Sequence, residues 1–375
     1  MKKIMYLNLF MILLITACGQ TKKDLDPPQK EIVSATKNIE QSITNSTEKN
    51  FLENYLNTHN CENIYCLEEN LLACVFQENE EYNLSILDLK KEEIKLQLKE
   101  NYFDANMNVE KVGKYTVICQ GRNCYRVPEE LQAMVIDENM QVIDRIILGE
   151  EVTTRAFTLL PKQKKIIYVD TYGSEWKMCL KQCDYQGNEE KQLIQFSDVT
   201  KVADITCLKI SENEKQLYFT GMYSRNQQRS GELLNCIGKI TLGEQKEIVY
   251  QTGKTNIYMS GEEAYFYDDC VEETDGDIYC IHKDGSLTST HLENRKDGKM
   301  GFSLDASLIW TLSQNRGKGQ ESMYTISVYR SRDGARIYTN SNTKISWGAL
   351  FFLEEKRLLG FYFGEQALET EWLRY

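Results

Sequence analysis

The stretch Ile210-Ser-Glu-Asn-Glu-Lys-Gln-Leu-Tyr-Phe219 decides the fold, because it has the pattern of a β-hairpin. A polar segment centred on Asn213 separates one apolar strand end from a second, aromatic strand. The stretch Phe302-Ser-Leu-Asp-Ala-Ser-Leu-Ile-Trp310 has the same design, with Asp305 at its centre. Asparagine and aspartate favour turns because their side chains hydrogen-bond to the backbone two residues further on. Both stretches therefore predict antiparallel strand pairs joined by tight turns.

Similar hairpins recur along the chain at a nearly constant interval. Their seven turns fall near Glu69, Gly113, Gln163, Asn213, Glu262, Asp305 and Glu355. Successive turns are 43 to 50 residues apart, and a strand-only repeat of about 40–50 residues is typical of a β-propeller blade. We therefore predict an all-β fold, a seven-bladed β-propeller over residues 60–375, with six or eight blades as the alternatives.

The final repeat is one strand short. Trp347–Phe352 and Leu358–Phe363 predict a hairpin, and Thr370–Tyr375 predicts a third strand. Because an unpaired strand edge is a site of aggregation, we expect a segment before residue 60, such as Glu31–Ala35, to complete the last blade. The alternative is that Glu355 lies in an internal loop of a final blade that is already complete.

The amino-terminal residues have the pattern of a targeting signal. Lys2 and Lys3 precede an apolar run, Ile4–Ala17, of 14 residues. Such a run is too short for a membrane span, which needs about 20 residues, but it suits the core of a signal peptide. We therefore expect residues 1–17 to be a signal peptide.

The run ends in Leu14-Ile-Thr-Ala-Cys18, which resembles the lipobox of bacterial lipoproteins, where a small residue precedes an invariant cysteine. The resemblance implies cleavage before Cys18 and acylation of this cysteine, for example with palmitate. Two or three acyl chains give a stable anchor. We therefore expect the protein at the extracytoplasmic face of the cell membrane, or at the outer membrane in a cell that has one. The alternative is an ordinary signal peptide with an incidental cysteine.

Residues 18–59 separate this anchor from the propeller. Residues 18–30 are polar and contain Pro27-Pro28, which is typical of an extended tether. Residues 36–57 carry spaced apolar side chains such as Leu52, a pattern that favours a short helix.

The net charge excludes one class of partner. It is −12 for the whole chain and becomes −14 when Lys2 and Lys3 are removed with the signal peptide. A strongly acidic protein repels the phosphate backbone of nucleic acids. We therefore expect no nucleic-acid partner, and contact with the membrane through the lipid on Cys18.

Export of the chain would permit disulfide bonds. Cys119 and Cys124 flank one predicted turn, and Cys270 and Cys280 flank an acidic loop. Residues opposite each other in a hairpin approach disulfide distance, so each pair is a candidate disulfide, and buried free thiols are the alternative. The chain has no Cys-x-x-Cys motif, and its cysteine spacing predicts no metal site.

In a propeller, the loops between second and third strands gather on one face. Here those loops are long: Gln120–Glu130, Met222–Glu232, Asp268–Asp277 and Ser313–Ser322. Long loops on a rigid scaffold are where binding usually resides. Their charged side chains are our candidate binding residues, with solvated loops as the alternative: Arg122, Arg126, Arg225, Arg229, Asp268, Asp269, Asp275, Arg316 and Lys318.

The acidic loop around Asp275 also raises the question of calcium, which prefers six to eight oxygen ligands. Its spacing does not match the EF-hand loop. The sequence therefore favours a solvated loop without a cofactor. A bound calcium ion is the alternative.

The first hairpins resemble those of TolB-like and WD-repeat-like propellers, whose blades open with a Ser-Pro-Asp-Gly type of turn before an apolar strand. The resemblance covers residues 60–375, implies the propeller fold and carries no catalytic residues.

Function is less constrained than fold. The sequence contains no GxSxG, HExxH, P-loop or GxGxxG motif. We therefore expect a non-enzymatic binding or scaffold module for a protein, peptide or glycan. The alternatives are an envelope glycan hydrolase or lyase that uses carboxylates near the propeller channel, and an accessory subunit of a transport or signalling complex.

Overall fold

The computed structural model describes most of the chain after residue 46. The described residues are 47–100, 103–104, 107–119, 131–148, 156–172, 177–196, 202–224, 233–244, 246–252, 254–268, 277–292, 298–314, 324–345, 347–363 and 368–375. The lipobox with Cys18, the tether and the expected closing strand Glu31–Ala35 lie outside these ranges, so they stay predictions from the sequence.

The described strands form seven antiparallel sheets, each built from strands that are consecutive in the chain. The first blade comprises β1 (Asn60–Glu68), β2 (Leu71–Glu78), β3 (Glu81–Asp88) and β4 (Glu93–Lys99). The second comprises β5 (Asn108–Val112), β6 (Tyr115–Cys119), β7 (Leu131–Ile136) and β8 (Val142–Leu148). The third comprises β9 (Phe157–Leu160), β10 (Lys165–Tyr172), β11 (Lys177–Asp184) and β12 (Lys191–Phe196).

The remaining blades follow the same plan. The fourth comprises β13 (Val202–Ile210), β14 (Gln216–Ser224), β15 (Leu233–Thr241) and β16 (Lys246–Gln251). The fifth comprises β17 (Asn256–Ser260), β18 (Glu263–Tyr267), β19 (Asp277–Ile281) and β20 (Leu287–His291). The sixth comprises β21 (Lys299–Phe302), β22 (Leu308–Gln314), β23 (Tyr324–Arg330) and β24 (Arg336–Thr343). The seventh comprises β25 (Trp347–Leu353), β26 (Arg357–Phe363) and β27 (Leu368–Arg374).

The predicted seven-bladed propeller is confirmed, and each predicted turn joins the first and second strands of a blade. In the two turns quoted at the outset, side chains hold the backbone as the sequence indicated. Oδ1 of Asn213 accepts a hydrogen bond from the Lys215 amide at 2.7 Å. Oδ1 of Asp305 accepts one from the Ser307 amide at 3.0 Å. The last predicted turn, near Glu355, is a short 3-10 turn, Glu354–Lys356.

First strands line the central axis, because the first strands of neighbouring blades contact one another. Second strands are covered by blades on both sides, so that Leu71–Phe76 of β2 are all buried. The fourth strand lies outermost, and β4 is largely exposed. We call the end that carries the turns between first and second strands the tight-turn face, and the opposite end the long-loop face.

Between the first and last blades lies a helix, α1 (Thr47–Thr58), close to the helix predicted within residues 36–57. Leu52 and Leu56 on its buried side are four residues apart and therefore share one helix face. They belong to one apolar cluster with Phe76 of the first blade and with Phe361 and Trp372 of the seventh. The helix therefore packs against both ends of the ring.

Polar contacts fix this helix to the edge of β27. Oε1 of Glu53 accepts hydrogen bonds from the Thr370 amide at 3.1 Å and from the Thr370 hydroxyl at 2.8 Å. Glu48 pairs with the buried Arg357, whose guanidinium lies 5.4 Å from the ring centre of Trp372. Within the residues that the structure describes, β27 is the outermost strand of its blade, and a helix side chain satisfies its free amide at Thr370.

Gly334, in the turn between β23 and β24, should be costly to replace. Its φ of +69° is left-handed, and a Cβ there would overlap the backbone carbonyl of His291 in the fifth blade. Gly261 has a similar φ of +57° but nothing within 4 Å of a Cβ. Gly261→Ala should lower the free energy of unfolding by about 1 kcal/mol because of its left-handed backbone. Gly334→Ala should lower it by the same amount plus roughly 1–3 kcal/mol, because the new Cβ overlaps the carbonyl. Urea unfolding of both variants measures the difference, and equal losses would contradict this packing.

Candidate functional site

A cavity of about 450 Å³ opens at the axis on the tight-turn face. Its walls come from the carboxyl ends of β1, β5, β13 and β17 and the turns that follow them, together with Leu304 of the sixth blade. Since first strands line the axis, this cavity is one mouth of the central channel, and we call it the channel mouth. Five blades contribute to it, as expected for a site built on a propeller.

The turns around the channel mouth contact one another through Glu212. Its amide donates a hydrogen bond to the carbonyl of Gly261 in the fifth blade at 3.1 Å. Its carbonyl accepts one from Nζ of Lys162 in the third blade at 2.6 Å. Through its backbone amide and carbonyl, Glu212 thus joins the turns of the third, fourth and fifth blades. Its carboxylate is exposed.

Charged side chains in the channel mouth pair across blades. Nζ of Lys111 in the second blade lies 3.0 Å from a carboxylate oxygen of Glu68 in the first. Lys209 of the fourth blade pairs with Glu110 of the second. Burial lowers the pKa of Lys209 to about 8, which still leaves most of its ammonium groups charged at pH 7. These pairs place positive and negative side chains next to each other in the wall of the cavity.

Tyr258 and Cys66 supply uncharged polar groups to the same wall. The Tyr258 ring stacks on Phe302 with ring centres 4.9 Å apart, and burial raises the pKa of its hydroxyl. Burial, with the nearby carboxylates of Glu69 and Glu68, raises the pKa of the Cys66 thiol to about 12. Because a thiol attacks as the thiolate, Cys66 is unsuited to be a nucleophile at neutral pH.

Among the described residues, two carboxyl groups have a raised pKa, and neither lines the channel mouth. Burial raises the pKa of Glu214, whose Oε1 accepts a hydrogen bond from the Lys162 amide at 2.7 Å. Burial also raises the pKa of Glu247 on β16, the outermost strand of the fourth blade. Glu214 therefore ties two turns together, and Glu247 lies far out on its blade. Neither arrangement matches an acid and base that share a cleft.

Of the loop residues predicted to bind a partner, the structure describes Asp268. Oδ1 of Asp268 accepts hydrogen bonds from the amide of Thr255 at 3.0 Å and from its hydroxyl at 2.9 Å. Oδ2 lies 3.3 Å from Nζ of the buried Lys254. Asp268 therefore anchors the start of its own blade. The other predicted residues lie outside the described part of the chain: Arg122, Arg126, Arg225, Arg229, Asp269, Asp275, Arg316 and Lys318.

The two proposed disulfides stay predictions, because Cys124 and Cys270 lie outside the described residues. Their counterparts Cys119 and Cys280 are buried at 4% and 6% exposure on β6 and β19. Burial, with the Glu263 carboxylate, raises the pKa of the Cys280 thiol to about 12. Both thiols are thus in the core, as the alternative of buried cysteines also expects.

The sequence did not identify the channel mouth. Its residues lie in first strands and tight turns, which the repeat pattern marks as scaffold. The available signal was a run of charged residues at the carboxyl ends of first strands, such as Glu110-Lys111 and Lys209. Only the ring arrangement shows that these strand ends converge.

Several solved structures are similar to this chain. An oligogalacturonate lyase from Vibrio parahaemolyticus has 12% sequence identity and a TM-score of 0.52, covering 84% of this chain and 90% of its own. TolB from Acinetobacter baumannii has 12% identity and a TM-score of 0.37, covering 80% and 78%. BamB from Moraxella catarrhalis has 11% identity and a TM-score of 0.37, covering 81% and 82%. At such identities the likeness concerns the fold alone.

Comparison with protein-family models gave no match, and comparison with curated proteins gave none either. Among the described residues, we find no helix with the length and apolar character needed to cross a membrane.

Proposed function

We propose that this protein is a lipid-anchored β-propeller of the cell envelope that binds a protein, peptide or glycan without transforming it. The lipidation part of this proposal comes from Leu14-Ile-Thr-Ala-Cys18 in the sequence. The binding part comes from the channel mouth. It is a half-open cavity with a mixed-charge wall, large enough for a side chain or a sugar unit of a larger partner.

One observation favours binding over catalysis. A glycan hydrolase needs two carboxyl groups in one cleft, about 5–10 Å apart, one with a raised pKa so that it can act as an acid. Within the part of the chain that the structure describes, the carboxyl groups with a raised pKa are Glu214 and Glu247, both outside the channel mouth. Of the three carboxylates in the mouth, Glu68 and Glu110 pair with lysines and Glu212 is exposed to solvent. The mouth is thus equipped for recognition by charge and shape.

Two variants separate the channel mouth from the long-loop face that the sequence analysis indicated. Glu68→Lys with Glu212→Lys reverses two exposed charges at the channel mouth. Arg225→Glu with Arg229→Glu reverses two charges in the long loop of the fourth blade. Immobilised full-length protein and both double variants are exposed to solubilised envelope extract, and bound proteins, peptides and glycans are quantified. We expect the mouth variant to lose most of the captured ligand, since charge reversal at an interface costs several kcal/mol.

The loop variant serves as the matched control, because it also changes the net charge, but in the opposite direction. Both should unfold within about 1 kcal/mol of the unmodified protein, as expected for exposed substitutions. Loss of capture in the loop variant alone would move the site to the long-loop face. If all three proteins capture the same ligands in the same amounts, neither face is the binding site.

The remaining functional alternatives make different predictions. An envelope glycan hydrolase or lyase would release shortened glycans, and an accessory subunit of a transport or signalling complex would recover a defined set of protein partners. Analysis of the unbound fraction beside the bound one, in the same experiment, distinguishes these cases.

A further inference from the structure

Three side chains of the fifth blade bring potential metal ligands together. Oε1 or Oε2 of Glu263, Sγ of Cys280 and a ring nitrogen of His282 all lie within 4.8 Å of one another. Nδ1 of His282 is 2.8 Å from Oε1 of Glu263 and 3.8 Å from Sγ of Cys280. Carboxylate, thiolate and imidazole are the three ligand types that zinc prefers in proteins.

Strand register produces this cluster. Strands β18 and β19 pair antiparallel, with Tyr265 opposite Cys280 and Ala264 opposite Ile281. Continuing that register places Glu263 opposite His282, at the tight-turn end of the blade. Because side chains alternate along a strand, Glu263, Cys280 and His282 point to the same face of the sheet.

Two of the three ligand separations are near those of a tetrahedral zinc site, and the third, between Glu263 and Cys280, is within 4.8 Å. With zinc–sulfur bonds of about 2.3 Å and bonds to nitrogen or oxygen of about 2.0–2.1 Å, a tetrahedron places sulfur about 3.6 Å from nitrogen and nitrogen about 3.3 Å from oxygen. The two measured separations, 3.8 Å and 2.8 Å, differ from these by about 0.2 Å and 0.5 Å. Small side-chain rotations are sufficient to admit the ion.

Neighbouring groups orient two of the three ligands, His282 and Glu263. Nε2 of His282 lies 2.9 Å from the hydroxyl of Thr288, which leaves Nδ1 directed at the other two ligands. The Tyr265 hydroxyl donates a hydrogen bond to Oε2 of Glu263 at 3.2 Å, so that Oε1 is directed at the imidazole. Such outer contacts orient ligands in metal sites and strengthen binding.

Exposure of the cluster fits a site that an ion can enter. Cys280 is 6% exposed, whereas the side chains of His282 and Glu263 are 32% and 39% exposed. The thiol thus forms the floor of the cluster and the other two ligands form its rim. A fourth ligand position would face solvent on the rim side.

We propose that Glu263, Cys280 and His282 form a zinc(II) site with three protein ligands and a fourth position open to water. This proposal does not depend on the function proposed for the channel mouth. It differs from the expectation of no metal site, which rested on cysteine spacing along the chain. It also excludes the candidate disulfide Cys270–Cys280, because zinc binds the free thiolate of Cys280. Glu263 precedes Cys280 by 17 residues and His282 by 19, so no short motif joins all three ligands.

Metal titration of the full-length protein tests the site. Protein stripped with a chelator is titrated with Zn²⁺ against a chromophoric chelator, and with Co²⁺ to detect the near-ultraviolet band that a cobalt–thiolate bond produces. We expect one zinc ion per chain. Cys280→Ser should abolish the cobalt–thiolate band and weaken zinc binding at least about tenfold, and Thr288→Val should keep the band and weaken binding about 10–100-fold.

Two further variants keep the test decisive. Glu263→Gln removes a half-exposed ligand with little change in shape, so it should fold normally, keep the cobalt–thiolate band and bind zinc more weakly. His291→Gln, on the same blade with its ring against Asp277 at 2.8 Å, should leave zinc affinity unchanged. The proposal is overturned if the unmodified protein takes up no stoichiometric zinc. It is equally overturned if Cys280→Ser or Glu263→Gln binds zinc as the unmodified protein does.

Discussion

Replacing Cys18 with alanine is expected to release the protein from membranes and to abolish its labelling by fatty acids. The lipobox resemblance implies that Cys18 would carry the acyl chains, and each buried methylene contributes about 0.8 kcal/mol to membrane binding. Loss of two or three chains would therefore remove the membrane affinity entirely. Metabolic labelling with a fatty acid, followed by membrane fractionation, measures both effects in one culture.

A second cysteine provides the control for this labelling. Cys207, which is half-buried on β13, lies far from the lipobox in sequence, so Cys207→Ala should keep both the label and the membrane location. Uptake of labelled fatty acid by Cys18→Ala would show that the anchor has been assigned to the wrong residue. Membrane association without any label would indicate attachment through a partner.

Leu52→Ala should destabilise the whole propeller and not only the helix. Leu52 is fully buried in the cluster that joins α1 to the first and seventh blades. Truncation of a buried leucine lowers the free energy of unfolding by about 2–5 kcal/mol. Because the cluster lies where the ring closes, we expect this loss in a single cooperative transition, measured by urea unfolding followed through tryptophan fluorescence and circular dichroism.

Ile147 offers a matched control, since it is 63% exposed on the outer strand β8. Ile147→Ala should change the free energy of unfolding by no more than about 0.5 kcal/mol. If Leu52→Ala unfolds at the same urea concentration as the control, the helix does not contribute to ring closure. A separate transition at lower urea concentration would show that Leu52 stabilises only the docking of α1 and not the propeller.

The blade pattern was predictable because it depends on local chemistry. In two of the turns the side chains of Asn213 and Asp305 accept hydrogen bonds from the backbone two residues further on, as their residue types predict. The strands flanking each turn carry apolar residues that neighbouring blades bury on both faces. Both signals lie within ten residues of chain, so they can be read without knowing what lies across the ring.

Ring closure was harder to predict because its contacts join distant residues. Glu53 and Thr370 are 317 positions apart, and no local pattern pairs a helix carboxylate with a strand amide. The sequence indicated both a helix near residues 36–57 and an incomplete last blade. It could not show that the helix packs against that blade.

The channel mouth and the cluster of Glu263, Cys280 and His282 escaped prediction for a related reason. Lys111 and Glu68 belong to different blades, and Glu263 meets His282 only through strand register. By contrast, the sequence indicated charged residues in the long loops as the binding residues. Asp268 is the one of these that the structure describes, and it anchors its own blade. Charge alone thus did not separate binding residues from structural ones.

The mass of the captured ligand tests the central claim, binding without chemistry, most directly. The envelope extract is analysed by mass spectrometry before and after prolonged incubation with the full-length protein, and the bound fraction is eluted and analysed in the same way. Our account predicts that the ligand is retained on the unmodified protein, lost from the Glu68→Lys, Glu212→Lys variant, and recovered with unchanged mass. New glycan or peptide fragments that form with the unmodified protein but not with that variant would contradict it and establish an enzyme.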